Sequence, residues 1–178
     1  MTRTIFLLDD IRYNNDNGLV SGKLAGEIRQ TKAFESLEEE ALLNLARTHE
    51  YIQQRTSEFF KQFSLTGTQY NILRILRGAG PDGLSCSEAS ERMVTADPDI
   101  TRLLDRLESR NLIARERSRE DRRVVMSRIT PDGLELLQTI DKPLKQLIKR
   151  TIGHLPKDRL EHLIETLESI RHAEASIS

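Results

Sequence analysis

Nine arginines fall between Arg102 and Arg128, at positions 102, 106, 110, 115, 117, 119, 122, 123 and 128, and no lysine stands among them. A guanidinium is a planar fork of donors that pairs bidentately with a phosphate or with the edge of guanine, and it sheds water more readily than an ammonium. Five acids lie in the same stretch, Asp105, Glu108, Glu116, Glu120 and Asp121, so the local surplus is four in a chain of formal net charge -1. Two chemistries fit such a pattern. One is recognition of a polyanion, and the other is a solvated face of mutually paired charges.

Other chemistry is weakly represented. No Gly-rich phosphate loop, paired-cysteine metal motif or nucleophile elbow occurs, so nothing nominates an enzyme. His49, His154, His162 and His172 lack metal-ligand spacing, and only His162 and Glu165 share a helix face; neither metal nor cofactor is expected. The single Cys86 cannot close an intramolecular disulfide, which agrees with a reducing compartment. Its position at a helix start allows a lowered thiol pKa, against the plainer reading of a small residue near the charged surface. Apolar runs such as Ile5–Leu8 are far shorter than a membrane span and lack a signal peptide's flanks. The expected compartment is the cytoplasm.

The elements that must position the arginines are legible from caps and periodicity. With 37% apolar and 31% charged residues in 178, the chain suits one helix-rich domain with an extension. Residues 1–35 show no sustained period and a turn signal at Asn14–Gly18; they read as a mobile arm or short extra element, or as a start placed upstream of one near Leu19 or Val20. From Ser36 a long helix is predicted, with Ser36 and Glu39 as a capping box. A second opens at Thr66 and Gln69, with Leu65 and Tyr70 as a hydrophobic staple, and stops at GAGPDG. A third, short helix opens at Ser85 and Glu88. A fourth is predicted from Asp97 as N-cap and Pro98 at the first position, burying Ile100, Leu103, Leu104 and Leu107. Its opposite stripe carries Pro98, Asp99, Thr101, Arg102, Asp105 and Arg106, and Asn111 ends it in the left-handed conformation.

Two short helices joined by a tight turn, the second with a polar Thr/Arg face, make a helix-turn-helix. LIARERS and RRVVMSRI then read as strands around a charged tip at Arg119–Asp121, which adds a hairpin wing. Thr130 and Pro131 restart a helix that continues, kinked, through Pro143. A last helix carries Leu160, Leu163, Ile164, Leu167 and Ile170. These outer helices hold more apolar surface than a small winged helix covers, which points to a second copy. The expected fold is mainly α with a small β-hairpin wing.

LTGTQYNIL, DITRLLDRLESRNLI and DRRVVMSRITPDG, in this order and spacing, resemble the multiple antibiotic resistance regulator (MarR) family of winged-helix transcription factors. The likeness spans roughly Ser36 to Ala173. It departs at Asn111, where members usually carry Gly, and at Ala89, where a larger aliphatic is common. It implies an N-terminal extension at 1–35 and a family domain at 36–174, with the winged helix-turn-helix at 65–130 and dimerisation helices at 36–64 and 131–174. It further implies a homodimer on double-stranded, pseudo-palindromic DNA, usually a repressor released by a small lipophilic or phenolic effector or by oxidation.

By the same likeness, Arg123 matches the arginine that enters the minor groove, and Asp121 the acid that braces it. Thr101, Arg102 and Arg106 are assigned to DNA, to bases or to phosphates, with Pro98 and Asp99 near base edges. Asp99 is alternatively a partner of its own helix N-terminus. Arg119 and Arg122 are phosphate contacts or solvated. An effector pocket, by family architecture, nominates His49, Gln53 and Tyr70, whose alternative is ordinary helix packing. A protein–protein adaptor on the same scaffold is the competing function, and its expected sign is loss of the wing arginines, which this chain keeps.

Overall fold

A computed structural model describes residues 22–95, 99–118 and 120–172. The chain divides into two units, with the boundary between Arg55 and Thr56. In the first unit, a single helical turn α1 (Leu24–Glu27) buries Leu24. The long helix α2 (Leu37–Lys61) starts where expected, with the Glu39 N–H donating to Ser36 Oγ at 3.1 Å. The Glu39 carboxylate, however, reaches past Ser36 to accept from the Glu35 N–H at 2.7 Å, so the expected capping box forms only in its first half. Glu40 accepts from the Gly22 N–H, tying the segment before α1 to α2.

In the second unit, α2 ends at a residue in left-handed conformation, Ser64, with φ 54°. The Leu65 and Ser64 N–H groups return to the Phe60 and Lys61 carbonyls, the paired bonds of a Schellman cap. Helix α3 (Gly67–Ala79) has the complete Thr66/Gln69 capping box, and α4 (Cys86–Glu91) the complete Ser85/Glu88 box. A two-residue strand β1 (Leu84–Ser85) precedes α4; β2 (Ile113–Arg117) and β3 (Val125–Ile129) follow α5 (Ile100–Glu108). The sheet is antiparallel in the order β1-β3-β2, with Leu84 opposite Ser127 and Ile113 opposite Ile129. The hairpin wing is thus the outer part of a three-stranded sheet. Two residues are too few to carry a strand period, which is why β1 escapes the sequence reading.

Gly83, at φ +72°, lets the chain enter β1 where any Cβ would strike the Ser127 carbonyl. The core is continuous across α3, α5, the sheet and α6 (Pro131–Ile152), with Ile72, Leu73, Leu76, Leu104, Leu107, Ile113, Leu137 and Ile140 essentially inaccessible. Ala89 is fully buried in the same cluster. Helix α6 continues through Pro143, and Arg77 of α3 pairs bidentately with Asp141 of α6 at 2.8 and 3.3 Å. The last helix, α7 (Lys157–His172), buries none of its residues. Among the described residues no helix is long and apolar enough to cross a membrane.

Candidate nucleic-acid interface

Helix α5 is strongly amphipathic. Leu103, Leu104 and Leu107 are buried, while Thr101, Arg102, Asp105 and Arg106 are exposed on the other side. The expected start at Asp97 and Pro98 is corrected: α5 begins at Ile100 with Asp99 as N-cap. Asp97 and the nominated Pro98 lie outside the described residues. The physical reason is local, because Asp99 Oδ1 accepts the Arg102 N–H at 3.2 Å, satisfying an otherwise orphan donor of the first turn. Asp99 Oδ2 also receives the Arg102 guanidinium at 3.2 Å. Asp99 therefore serves its own helix terminus, the alternative role weighed for it.

The far end of α5 closes on Asn111, at φ 56°, with the Leu112 N–H on the Leu107 carbonyl and the Asn111 N–H on the Glu108 carbonyl. Three elements grip this corner. Arg110 donates to the Ser64 carbonyl at the end of α2. The Asn111 side chain donates to Asp132 at 2.7 Å, and its carbonyl accepts from the Thr130 hydroxyl at 2.6 Å. A Cβ on Gly133 would collide with the Leu112 carbonyl, so the first turn of α6 sits directly on the corner.

The third grip comes from the wing. Arg115, on β2, donates through Nε to Glu108 at 2.8 Å and through Nη2 to Asp105 and Glu108, two acids one turn apart on α5. Its guanidinium is held above its ordinary pKa, chiefly by the Glu108 hydrogen bond and against partial burial. Arg128 likewise donates to the Pro81 carbonyl at 2.7 Å and to Glu116 at 3.2 Å. For these two arginines the alternative of mutually paired charges describes the structure, with partners that spacing alone does not name.

At the wing tip, Ser118 and Val124 keep the hairpin ladder closed at 2.8 Å. The Asp121 carboxylate accepts the main-chain N–H of Arg123 at 2.9 Å, and the Asp121 carbonyl accepts from Val124. This corrects the expected brace: Asp121 fixes the turn backbone, in an Asx turn, rather than the Arg123 guanidinium. An acceptor two residues before an N–H is already in place, whereas an arginine fork must give up side-chain rotamer freedom to reach back. Arg122 and Arg123 are exposed. Together with Arg106 and Arg117, they enter no ion pair among the described residues. Arg119 lies outside the described residues.

Between α4, α5 and the wing is a cleft of about 340 Å³ whose walls include Cys86, Thr101, Leu104, Arg115, Arg123 and Ser127. Thr101 and Arg123, nominated from separate motifs, thus face one groove. Ser127 Oγ is buried there without a hydrogen-bond partner among the described residues. The nominated effector residues divide between the two units of the chain, His49 and Gln53 in the first and Tyr70 in the second. His49 and Gln53 are exposed on α2. Tyr70 is buried and stacked on Phe60, ring centres 4.6 Å apart. Its burial pushes the phenol above the usual tyrosine range. His162 and Glu165 do share a face, 4.0 Å apart and largely exposed.

Comparison with known proteins fixes the family. The sequence model of the MarR family matches residues 65–125. The transcriptional regulator PapX of Escherichia coli is 33% identical over 115 residues, covering 65% of this chain and 70% of PapX. The chain belongs to the MarR family. A MarR transcription factor from Planctomyces limnophilus has the same fold, with a TM-score of 0.61, 43% identity, and coverage of 76% of this chain and 98% of that one. BpsR of Bordetella bronchiseptica, whose DNA binding is regulated by 6-hydroxynicotinic acid, aligns at a TM-score of 0.62 and 25% identity over 75% of this chain and 99% of BpsR. In MarR terms α4 and α5 are the helix-turn-helix and β2–β3 the wing. The protein is a DNA-binding transcriptional regulator of a non-enzymatic family.

Proposed function

We propose that this MarR protein is a cytoplasmic, ligand-responsive repressor that binds a pseudo-palindromic operator as a homodimer. The observation that carries the reading is the shared groove: Thr101 of α5 and Arg123 of the wing line one cleft, so a helix entering the major groove brings the wing arginine toward the adjacent backbone and minor groove. Thr101, Arg102 and Arg106 are the base or phosphate contacts of α5, and Arg122 and Arg123 those of the wing. Exposed Leu163, Ile164 and Ile170 on α7, with no buried residue on that helix, support a second copy that covers them. Two-fold symmetry then sets half-sites about one helical turn, roughly 34 to 36 Å, apart. Regulation of BpsR by a hydroxylated aromatic acid supports a small lipophilic or phenolic effector here.

The test is fluorescence anisotropy with duplex DNA from upstream of the protein's own gene. Affinity falls steeply as salt rises, because each neutralised phosphate releases counterions, and the duplex outcompetes random DNA. Arg123→Ala weakens binding while sedimentation still reports a dimer. A flat salt response, or equal affinity for random DNA, overturns the reading.

A further inference from the structure

Arg115 is in the DNA-binding half of the molecule, yet its guanidinium faces the protein. Its side chain is only 22% exposed, and its Nε and Nη2 donors are spent on Asp105 and Glu108. Those two acids sit three residues apart on α5, on successive turns of one face. A helix held by a single contact, or by an apolar stripe alone, retains freedom to roll about its axis. Two carboxylates on successive turns, joined by one rigid fork rooted in β2, remove that freedom and set the roll of α5 against the wing.

The roll decides which atoms of Thr101, Arg102 and Arg106 meet a groove floor. Base readout depends on it, because a bidentate contact fails with small misplacement. Phosphate contact through long, exposed side chains tolerates it. The fold has little need of the clamp, since Leu103, Leu104 and Leu107 are buried in the core and the Asn111 corner is fastened separately.

We propose that Arg115 is a positioning residue for sequence discrimination: by clamping Asp105 and Glu108 it fixes the orientation of the recognition helix against the wing, without itself touching DNA. This rests on the DNA-binding reading above and adds where its specificity is set. Lysine is a poorer substitute, because its ammonium is a point charge on a flexible stem and lacks the planar fork through which Nε and Nη2 both grip Glu108 while Nη2 also reaches Asp105.

The experiment compares two probes, a duplex selected by the wild-type protein from a random-sequence library and a scrambled duplex of equal length and composition. Arg115→Ala and Arg115→Lys are each expected to reduce the selected-to-scrambled affinity ratio about tenfold, the discrimination carried by one good base contact. Binding to the scrambled duplex changes much less. Arg117→Ala, on the same strand but outside the clamp, lowers both affinities together and leaves the ratio unchanged. Glu108→Gln cuts the clamp from the α5 side and is expected to reproduce the lost ratio, so a poorly folding Arg115 variant does not shield the inference. An unchanged ratio in the Arg115 variants and Glu108→Gln overturns it, as does full rescue by lysine or an equal loss on both duplexes. Failure of the wild-type protein to discriminate between the duplexes would instead overturn the DNA-binding reading.

Discussion

Asn111 closes α5 in the left-handed conformation, and its surroundings define a substitution series with a calculable order. Its backbone is left-handed at φ 56°, a conformation costing an ordinary L-residue about 1–2 kcal/mol and Asn less. Its side chain also donates to Asp132 at 2.7 Å, a bond between exposed groups contributing about 0.5–1 kcal/mol. Asn111→Ala adds the part of the conformational cost that Asn does not already bear and removes the bond, for a total loss of about 1–2 kcal/mol. Asn111→Gly removes the same bond and adds unfolded-state entropy, about 0.4–1 kcal/mol, but relieves the residual strain of Asn. Its net loss is about 0.5–1 kcal/mol. Urea unfolding followed by circular dichroism, at one protomer concentration because association shifts apparent stability, measures the difference. In melting temperature each kcal/mol corresponds to about 2–4 °C for a chain of this size. Equal losses for alanine and glycine would refute the conformational argument, and a glycine variant more stable than the natural protein would refute a stabilising Asn111–Asp132 bond.

Two further outcomes follow from the wing and the core. Since Asp121 accepts a main-chain N–H, Asp121→Asn retains the acceptor and operator affinity, whereas Asp121→Ala loosens the tip and weakens binding; asparagine behaving like alanine would restore an ion-pair role. Burial raises the Tyr70 pKa, so the folded protein holds the phenolic proton to higher pH than the unfolded chain does. That stability is fully present below the ordinary tyrosine range and is lost as pH rises through the folded value. Tyr70→Phe should therefore flatten the alkaline limb of the stability–pH curve, and an unchanged limb in a pH-resolved denaturation series would refute it.

How much of this was readable in the chain depended on the distance between partners. The boxes at Thr66/Gln69 and Ser85/Glu88 and the cap at Thr130 formed as read, because each joins residues three apart. The cap of α5 lies at Asp99, which accepts from its own first turn, and the expected cap Asp97 lies outside the described residues. The arginine pairings were not legible for a different reason. Arg110 and Arg128 reach the Ser64 and Pro81 carbonyls across 46 and 47 residues, separations to which no local pattern is sensitive. His49, Gln53 and Tyr70 are joined only by family likeness, because no local spacing links residues so far apart in the chain.

The same pairings change what the arginine surplus means for DNA. A count of nine per copy would give a dimer eighteen phosphate-seeking groups and a slope of log affinity against log salt near -16. The structure withdraws Arg115 and Arg128 into pairs with acids of the fold and turns Arg110 to a carbonyl. Arg102, Arg106, Arg117, Arg122 and Arg123 are left per copy among the described residues, and this segment then contributes a slope of about -9 in the proposed dimer. Arg123→Ala should reduce the slope by about 2 in a dimer, one unit per copy. Arg128→Ala should leave it unchanged, because that guanidinium is already neutralised by Glu116. Anisotropy titrations across a salt series decide between the two variants. Equal slope changes would mean that the wing's internal ion pairs open on DNA, so that the acids among the arginines do not select which guanidinium groups reach phosphate.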